Sequence, residues 1–150
     1  MNRNHVALYT DASCYPATGT GGFSAIIRSG RNHNKEIAGT IPHASVNRAE
    51  LTAVIKGLAH VEANSYVTIF TDSAYVERAV NEGRLAMWQS NGWRRLKTGE
   101  PVKNADLWKA LCETIEARNI SVRFRKLAAH KGHFFNERAD WLAKKAAKAV

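Results

Sequence analysis

The sequence contains few cysteines and no long apolar run, and both scarcities restrict the kind of protein that it encodes. Its two cysteines, Cys14 and Cys112, are too few for a disulfide framework and lack the spacing of a metal-binding pair. No stretch of about 18 apolar residues occurs, and the first residues begin a strand pattern rather than an apolar signal region. We therefore expect a cytoplasmic protein with no membrane partner.

Acidic residues are also scarce relative to basic ones. The chain has 22 Lys and Arg against 13 Asp and Glu, which gives a formal net charge of +9 and a pI near 9.9. Such a surplus is typical of chains that meet a polyanion such as nucleic acid, and it is weak evidence alone. With 45% hydrophobic residues among 150, we expect residues 1–150 to form one domain with a real core. A monomer is our working expectation.

Residue patterns predict an α/β fold. Three β-rich segments near the start, separated by turn residues, predict an antiparallel meander over residues 5–11, 21–29 and 35–41. Two later strands are predicted at 66–72 and 120–128. Helices are predicted after an N-cap at Ser45 or Asn47, from residue 73 to near Gly83, and over 103–118 and 136–150. This order implies a five-stranded mixed sheet, three antiparallel strands then parallel strands, with helices on both faces.

Four carboxylates lie where predicted strands pass into turns or helices: Asp11, Glu50, Asp72 and Asp140. Four like charges buried together would be strongly unfavourable unless divalent cations lie among them. All-oxygen ligands suit magnesium or manganese. The pattern therefore predicts a metal site for Mg²⁺, with Mn²⁺ able to substitute.

Each carboxylate also has a purely structural interpretation, and taken singly these stay open. Asn47 and Glu50 have the spacing of a capping box. Asp72 would cap the helix that follows it, and Asp140 would interact favourably with the dipole of its helix. Asp11 would favour a turn at the end of its strand.

Residues 84–103 lack the regular spacing of apolar residues that predicts the helices and strands elsewhere in the chain. They combine Trp88 and Trp93 with Arg94, Arg95, Lys97 and Lys103. We interpret this segment as a basic, aromatic surface feature that contacts nucleic-acid phosphates and sugars. The alternative is that the tryptophans hold the segment on the body while the charges are only solvated.

Taken together, the motifs TDAS, NRAEL, TDSAYV, PVKNADLW and HKGHFFNERAD resemble type 1 ribonuclease H over almost the whole chain. The resemblance implies the ribonuclease H-like fold and a magnesium-dependent endonuclease. Such an enzyme cuts the RNA strand of RNA/DNA hybrids by a two-metal mechanism, leaves 5′-phosphate and 3′-hydroxyl ends, and removes primers or R-loops.

The resemblance also implies roles for particular residues. Asp11, Glu50, Asp72 and Asp140 match the metal-binding carboxylates, and His130 matches a histidine that assists proton transfer or product release. Its partner in an HxxH pair, His133, has no further ligands at zinc-site spacing. The predicted substrate contacts are Cys14, Ser45, Asn47, Arg48, Ser73, Trp88, Trp93, Arg94, Arg95 and Lys103.

Four positions depart from the family pattern. Ala17 and Val46 stand where many relatives have asparagine, and Ala74 where they have glutamine. Ala12 replaces the glycine usual after the first aspartate. Each lost hydrogen bond is worth about 0.5–1.5 kcal/mol, so we expect an active enzyme with weaker or altered hybrid recognition.

Two alternative functions remain open. One is a hybrid-binding module without catalytic turnover. The other is a different nuclease of the same fold, such as a proofreading exonuclease or a resolvase. Exonucleases of that kind usually carry an Asp-x-Glu pair on the first strand, and Ser13 occupies the second position here.

Overall fold

The fold is built on one five-stranded sheet, seen in a computed structural model that describes residues 4–30, 34–127 and 133–149. The strands are β1 (His5–Tyr15), β2 (Thr20–Ser29), β3 (Asn34–Ile41), β4 (Tyr66–Thr71) and β5 (Ser121–Lys126). Their order in the sheet is β3-β2-β1-β4-β5. Neighbours β1–β2 and β2–β3 are antiparallel, whereas β1–β4 and β4–β5 are parallel. This confirms the predicted mixed sheet.

Helices follow the strands in the predicted order, with one addition. The prediction missed α3 (Arg84–Ser90), which lies within the segment expected to be irregular. Its seven residues make only about two turns, too few for a helical period to be recognised, although Leu85 and Trp88 pack against the core. The helices are α1 (Val46–Leu58), α2 (Ala74–Asn81), α3 (Arg84–Ser90), α4 (Ala105–Ala117) and α5 (Phe134–Lys148). None of the helices in the described ranges is long and apolar enough to cross a bilayer.

The sheet has hydrophobic clusters on both faces, because successive side chains of a strand point in opposite directions. Leu8 belongs to the larger cluster, which includes Leu51 of α1 and Trp108 of α4. Tyr9, the next residue, belongs to a smaller cluster with Ala139 of α5. Helices therefore cover both faces, with α5 on the side opposite α1.

Close backbone contacts hold α5 against the sheet. The hydroxyl of Ser24 donates a 2.6 Å hydrogen bond to the carbonyl oxygen of Ala139 in a fully buried position. A Cβ added to Gly22 would lie 2.1 Å from the carbonyl oxygen of Ala143, so only glycine allows this approach. These contacts fix the height and axial position of α5, and with it Asp140.

Candidate metal centre

Asp11 lies inside β1, opposite Ser24 of β2. The expectation that it ends its strand, or forms a turn, is therefore wrong: pairing with β2 continues to Tyr15. Pairing with β4, however, reaches only Tyr9. Asp11 thus lies just past the point where β1 loses one of its two neighbours, and the sheet opens beside its side chain. Such forks are where α/β sheets place ligands.

Glu50 reaches the same place from α1. The N-cap is Ser45, whose hydroxyl accepts a 3.2 Å hydrogen bond from the backbone N–H of Arg48. Glu50 is thus the fifth residue of the helix rather than its third. The capping-box interpretation of Asn47 and Glu50 is therefore wrong, and the Glu50 side chain is 5% exposed.

Asp72 follows the last residue of β4 directly. The cap of α2 is Ser73, whose hydroxyl accepts from the backbone N–H of Val76 at 3.2 Å, so Asp72 is not the capping residue. Asp72 is half-buried, and one oxygen each from Asp11, Glu50 and Asp72 lie within 4.8 Å of one another. Three elements therefore deliver three carboxylates to one point.

Burial and like charge make this cluster electrostatically costly. Burial, with the charge of Asp72 next in importance, raises the pKa of Asp11 from 3.8 to about 7. Burial, followed by the charges of Asp11 and Asp72, raises the pKa of Glu50 from 4.5 to about 9. Only a hydrogen bond from the backbone N–H of Ala12, at 2.8 Å, favours the charged form of Asp11.

Asp140 stands at the edge of this cluster. It lies near the middle of α5, and its charge further raises the pKa of Asp11. Its oxygen lies 3.0 Å from Nζ of Lys144, one turn later on the helix, and this contact raises the pKa of that lysine. The charge of Asp11 also acts on Lys144. Lys144 was not among the predicted site residues, although its i,i+4 spacing from Asp140 favours such an ion pair.

The residues present fit a divalent cation. The Oε2 atom of Glu50 is buried without a hydrogen-bond partner in the described part of the chain, which costs free energy unless something else binds it. The donors are all carboxylate oxygens, the ligand type that hard cations prefer. No other group of three His, Cys, Asp or Glu within the described ranges is arranged to hold a metal.

Several predicted substrate contacts surround this centre, and two of them also organise the backbone. Ser45 and Ser73 are the caps of α1 and α2. The Sγ of Cys14 donates to the carbonyl oxygen of Ala44 at 3.5 Å, and its thiol, like that of Cys112, is free. All three polar side chains lie where helix N-termini or β1 reach the fork.

Arg48 and Asn47 differ in the contacts that their side chains make. Arg48 forms a two-point ion pair with Asp106 at 2.7 and 3.0 Å and also donates to Asn104. That Asn104 donates in turn to the hydroxyl of Tyr75. The Arg48 guanidinium thus links α1 to the start of α4, whereas the Asn47 side chain is exposed.

The basic aromatic segment, residues 84–103, is fixed to the body by its tryptophans. Trp88 and Trp93 are both half-buried and pack against the larger core cluster, and the Trp88 ring centroid lies 5.6 Å from that of Trp108. The backbone N–H of Trp93 donates to the carbonyl oxygen of Trp88 at 2.7 Å. The side chains of four cations point outward and are exposed: Arg94, Arg95, Lys97 and Lys103.

The four departures from the family pattern lie at the starts of two helices, within β1 and in the turn that follows β1. Val46, 48% exposed, and Ala74 begin α1 and α2, and Ala17 lies in the turn after β1. Ala12 has ordinary strand geometry, so its position does not require glycine for a positive φ. The predicted His130 lies outside the described residues.

Comparison with known proteins gives one consistent result. A family model described as RNase H matches residues 3–148. Ribonuclease H of Syntrophomonas wolfei is 40% identical over 97% of this chain and 97% of its own length. Ribonuclease H of Chromobacterium violaceum is 39% identical over 98% and 97%. Ribonuclease H of Thermus thermophilus is 40% identical over 98% of this chain and 86% of its own.

Solved structures show the same fold. LC9-RNase H1, a type 1 RNase H with the type 2 active-site motif, superposes with a TM-score of 0.82 at 26% identity, covering 98% of this chain and 74% of that one. LC11-RNase H1, solved in complex with RNA/DNA hybrid, superposes with a TM-score of 0.72 at 19% identity, covering 95% and 96%. The second similarity concerns the fold alone.

Proposed function

Because this chain belongs to the ribonuclease H family, we propose that its activity, hydrolysis of the RNA strand of RNA/DNA hybrids, depends on divalent cations held at the fork of the sheet. The ligands are Asp11, Glu50 and Asp72, with Asp140 beside them. Mg²⁺ is the physiological ion in this proposal, and Mn²⁺ substitutes for it.

The observation that carries the proposal is the Oε2 atom of Glu50, which is buried within a cluster of like charges and has no hydrogen-bond partner among the described residues. A carboxylate whose pKa is raised to about 9 serves no evident purpose in the metal-free fold. A cation beside it would supply its missing partner and offset the repulsion from Asp11 and Asp72.

Bound cations would activate a water and neutralise charge on the scissile phosphate. The protein's own contribution is position: Asp11 is fixed by β1, Glu50 by α1 and Asp72 by the junction of β4 with α2. Lys144 holds the Asp140 carboxylate and adds positive charge at the rim.

Recognition of the RNA strand depends on its 2′-hydroxyls, the feature by which a protein distinguishes RNA from DNA. In this proposal, polar groups at the starts of α1 and α2 contact the hybrid beside the metal centre, and the basic aromatic segment contacts phosphates of the DNA strand. His130 assists proton transfer or product release. The full set of contacts is Cys14, Ser45, Asn47, Arg48, Ser73, Trp88, Trp93, Arg94, Arg95 and Lys103.

We further propose that residues 1–150 act as one domain, as a monomer and in the cytoplasm, where primers and R-loops arise. The scarcity of cysteine and the net charge of +9 support this setting.

The test is cleavage of an end-labelled RNA/DNA hybrid with Mg²⁺ or Mn²⁺, beside duplex DNA, duplex RNA, single-stranded DNA and four-way junctions. We expect internal cuts confined to the RNA of the hybrid. Binding of the hybrid without cleavage in either metal would replace the proposal with a recognition module. Degradation from single-stranded DNA ends would indicate an exonuclease, and junction cutting a resolvase.

A further inference from the structure

One half of the α5 side of the sheet is left uncovered by the described helices. Helix α5 packs on β1, β2 and β3, beginning near Tyr9 and ending near Gly22. It therefore crosses the end of β1 that carries Asp11 and leaves the opposite end. We name the uncovered area the open sheet face and define it by the side chains on this side of the three neighbouring strands: His5 and Ala7 of β1, Tyr66 and Thr68 of β4, and Arg123 and Arg125 of β5.

Two stacked aromatic pairs border the open sheet face. The rings of His5 and Tyr66 are 5.5 Å apart and inclined by 16°, and Tyr66 is 47% exposed. Four residues further along the same two strands, the rings of Tyr9 and Phe70 are 4.8 Å apart and inclined by 14°. At about 3.3 Å per residue, the two pairs lie about 13 Å apart along the strands.

Between these pairs the surface is lined by small side chains. Ala7 and Thr68 are directly paired across β1 and β4, and both are half-buried. Arg28 of β2 and Arg123 of β5 lie at the two ends of this row, as the partners of Ala7 and Thr68 in the ladder. This row therefore has an arginine at each end. On one side of it lies the exposed pair of His5 and Tyr66, and on the other lies the pair of Tyr9 and Phe70, in which Tyr9 is 7% exposed beneath Phe135 of α5.

The charge of this surface is one-sided. Arg123 and Arg125 are exposed, and within residues 4–30, 34–127 and 133–149 neither they nor Arg28 forms an ion pair. Arg28 instead donates to the amide oxygen of Asn34 and lies 4.1 Å from the ring centroid of Phe135. By contrast, each cation that does form an ion pair in the described ranges belongs to another part of the molecule. Positive charge is therefore available here to a ligand.

We propose that the open sheet face binds single-stranded nucleic acid. The exposed aromatic pair of His5 and Tyr66 offers a platform on which an unpaired base stacks, and the exposed arginines attract the neighbouring phosphates. A double helix does not fit these features equally well, because its bases are already stacked on one another. An acidic peptide would bind the arginines but would leave the exposed aromatic pair of His5 and Tyr66 without a role.

The site is distinct from the metal centre but lies on the same side of β1. His5 and Asp11 are six residues apart on that strand, which corresponds to about 20 Å. A hybrid held at the metal centre therefore brings a single-stranded flank within reach of the open sheet face. This adds a binding activity to the proposed function and does not depend on it.

The experiment is fluorescence anisotropy with a labelled single-stranded DNA of mixed sequence, in EDTA so that no cleavage contributes. We expect the double variant Arg123→Glu, Arg125→Glu to bind at least about tenfold more weakly than the parent chain, because two phosphate contacts become repulsive. The matched control is Lys56→Glu, Lys148→Glu at exposed positions of α1 and α5, which changes the net charge equally. We expect that control to keep at least half of the single-strand affinity.

A second variant tests the exposed aromatic pair of His5 and Tyr66 without changing an arginine. Tyr66→Ser removes a stacking platform from an exposed position, and we expect it to weaken single-strand binding severalfold. Cleavage of a blunt-ended hybrid reports whether each variant is folded, and should stay within about twofold of the parent for substitutions on the open sheet face.

Equal losses in both charge variants would overturn the proposal, since they would indicate only a general effect of net charge. Unchanged binding in the Arg123, Arg125 variant would also overturn it. Tighter binding of a poly-glutamate peptide than of single-stranded DNA would assign the face to an acidic protein partner. If the parent chain fails to cut hybrids but binds single strands through this face, the proposed function fails and this inference stands.

Discussion

On one side of the sheet, the two ends of β1 differ in the sign and in the burial of the charged side chains around them. At one end, α5 covers the strand, and Asp11 is 4% exposed among other carboxylates. At the other end no described helix covers the sheet, and Arg123 and Arg125 project into solvent. Burial makes the first set of charges costly, whereas solvation makes the second nearly free. We infer that the covered end is built for small, highly charged cations and the open end for an extended polyanion.

The largest expected effect comes from removing one buried carboxylate at the covered end. Asp11→Asn should lower the kcat/KM for hybrid cleavage by about 10³-fold or more if Asp11 is a ligand of the catalytic ions, as we propose. Steady-state cleavage of a labelled hybrid measures this. As a control, Glu113→Gln removes an exposed carboxylate from α4 and should change kcat/KM by less than about twofold. If Asp11→Asn kept the activity of the parent chain, the carboxylate cluster would not be the catalytic metal centre that we propose.

The next largest effect is expected from disrupting the close contact between α5 and Gly22 of β2, which holds α5 over this end of the sheet. Gly22→Ala would bring a Cβ within 2.1 Å of the Ala143 carbonyl oxygen and force α5 away from β2. We expect a loss of about 3 kcal/mol in the free energy of unfolding, measured by urea titration. The control is Gly99→Ala, where the added Cβ meets no atom within 4 Å and only the positive φ of 73° is unfavourable. That control should cost about 1 kcal/mol, and equal costs would contradict close packing of α5.

A smaller effect of opposite sign is expected without metal. The rise of the Asp11 pKa from 3.8 to about 7 corresponds to about 4 kcal/mol when the group is ionised. A buried amide retains part of that cost, so Asp11→Asn in EDTA should gain about 2 kcal/mol of stability. Because the folded pKa is the higher one, the gain should be full above about pH 7 and absent below about pH 4.

Mg²⁺ provides the companion measurement. It should raise the Tm of the parent chain, because it binds the folded state, and raise that of Asp11→Asn much less. Thermal unfolding at two pH values, with and without Mg²⁺, gives both results. A destabilised variant in EDTA at pH 8 would show that the Asp11 carboxylate stabilises the metal-free fold, contrary to the cost expected from its burial among like charges.

The smallest effect concerns the rim of the covered end. Ala17→Asn together with Val46→Asn should lower the KM for hybrids by roughly tenfold, because each restored hydrogen bond contributes about 0.5–1.5 kcal/mol. Both positions are exposed, so neither change should disturb packing. Val46→Ala is the control for loss of the valine side chain. An unchanged or higher KM would mean that these positions do not limit substrate binding.

Much of the fold could be predicted because its elements carry strong local signals. The five strands and the amphipathic helices α1 and α4 follow directly from period and turn residues. Helix α3 was missed because its seven residues are too few to show a period. The position of Asp11 within β1 was missed because the chain gives no sign of how far β2 remains paired. Ser45 and Asn47 were equally good caps by composition, and only the backbone decided for Ser45.

The sequence by itself determined the charge balance, the order of the elements and the identity of the acidic residues, since these depend on composition and on contacts between near neighbours in the chain. Tertiary structure alone decided that Asp11, Glu50 and Asp72 meet within 4.8 Å, and that Oε2 of Glu50 is buried with no partner in the ranges that the structure describes. It also decided that α5 covers only one end of β1. These outcomes depend on where elements distant in sequence cross, which is set by the packing of whole faces rather than by any local pattern.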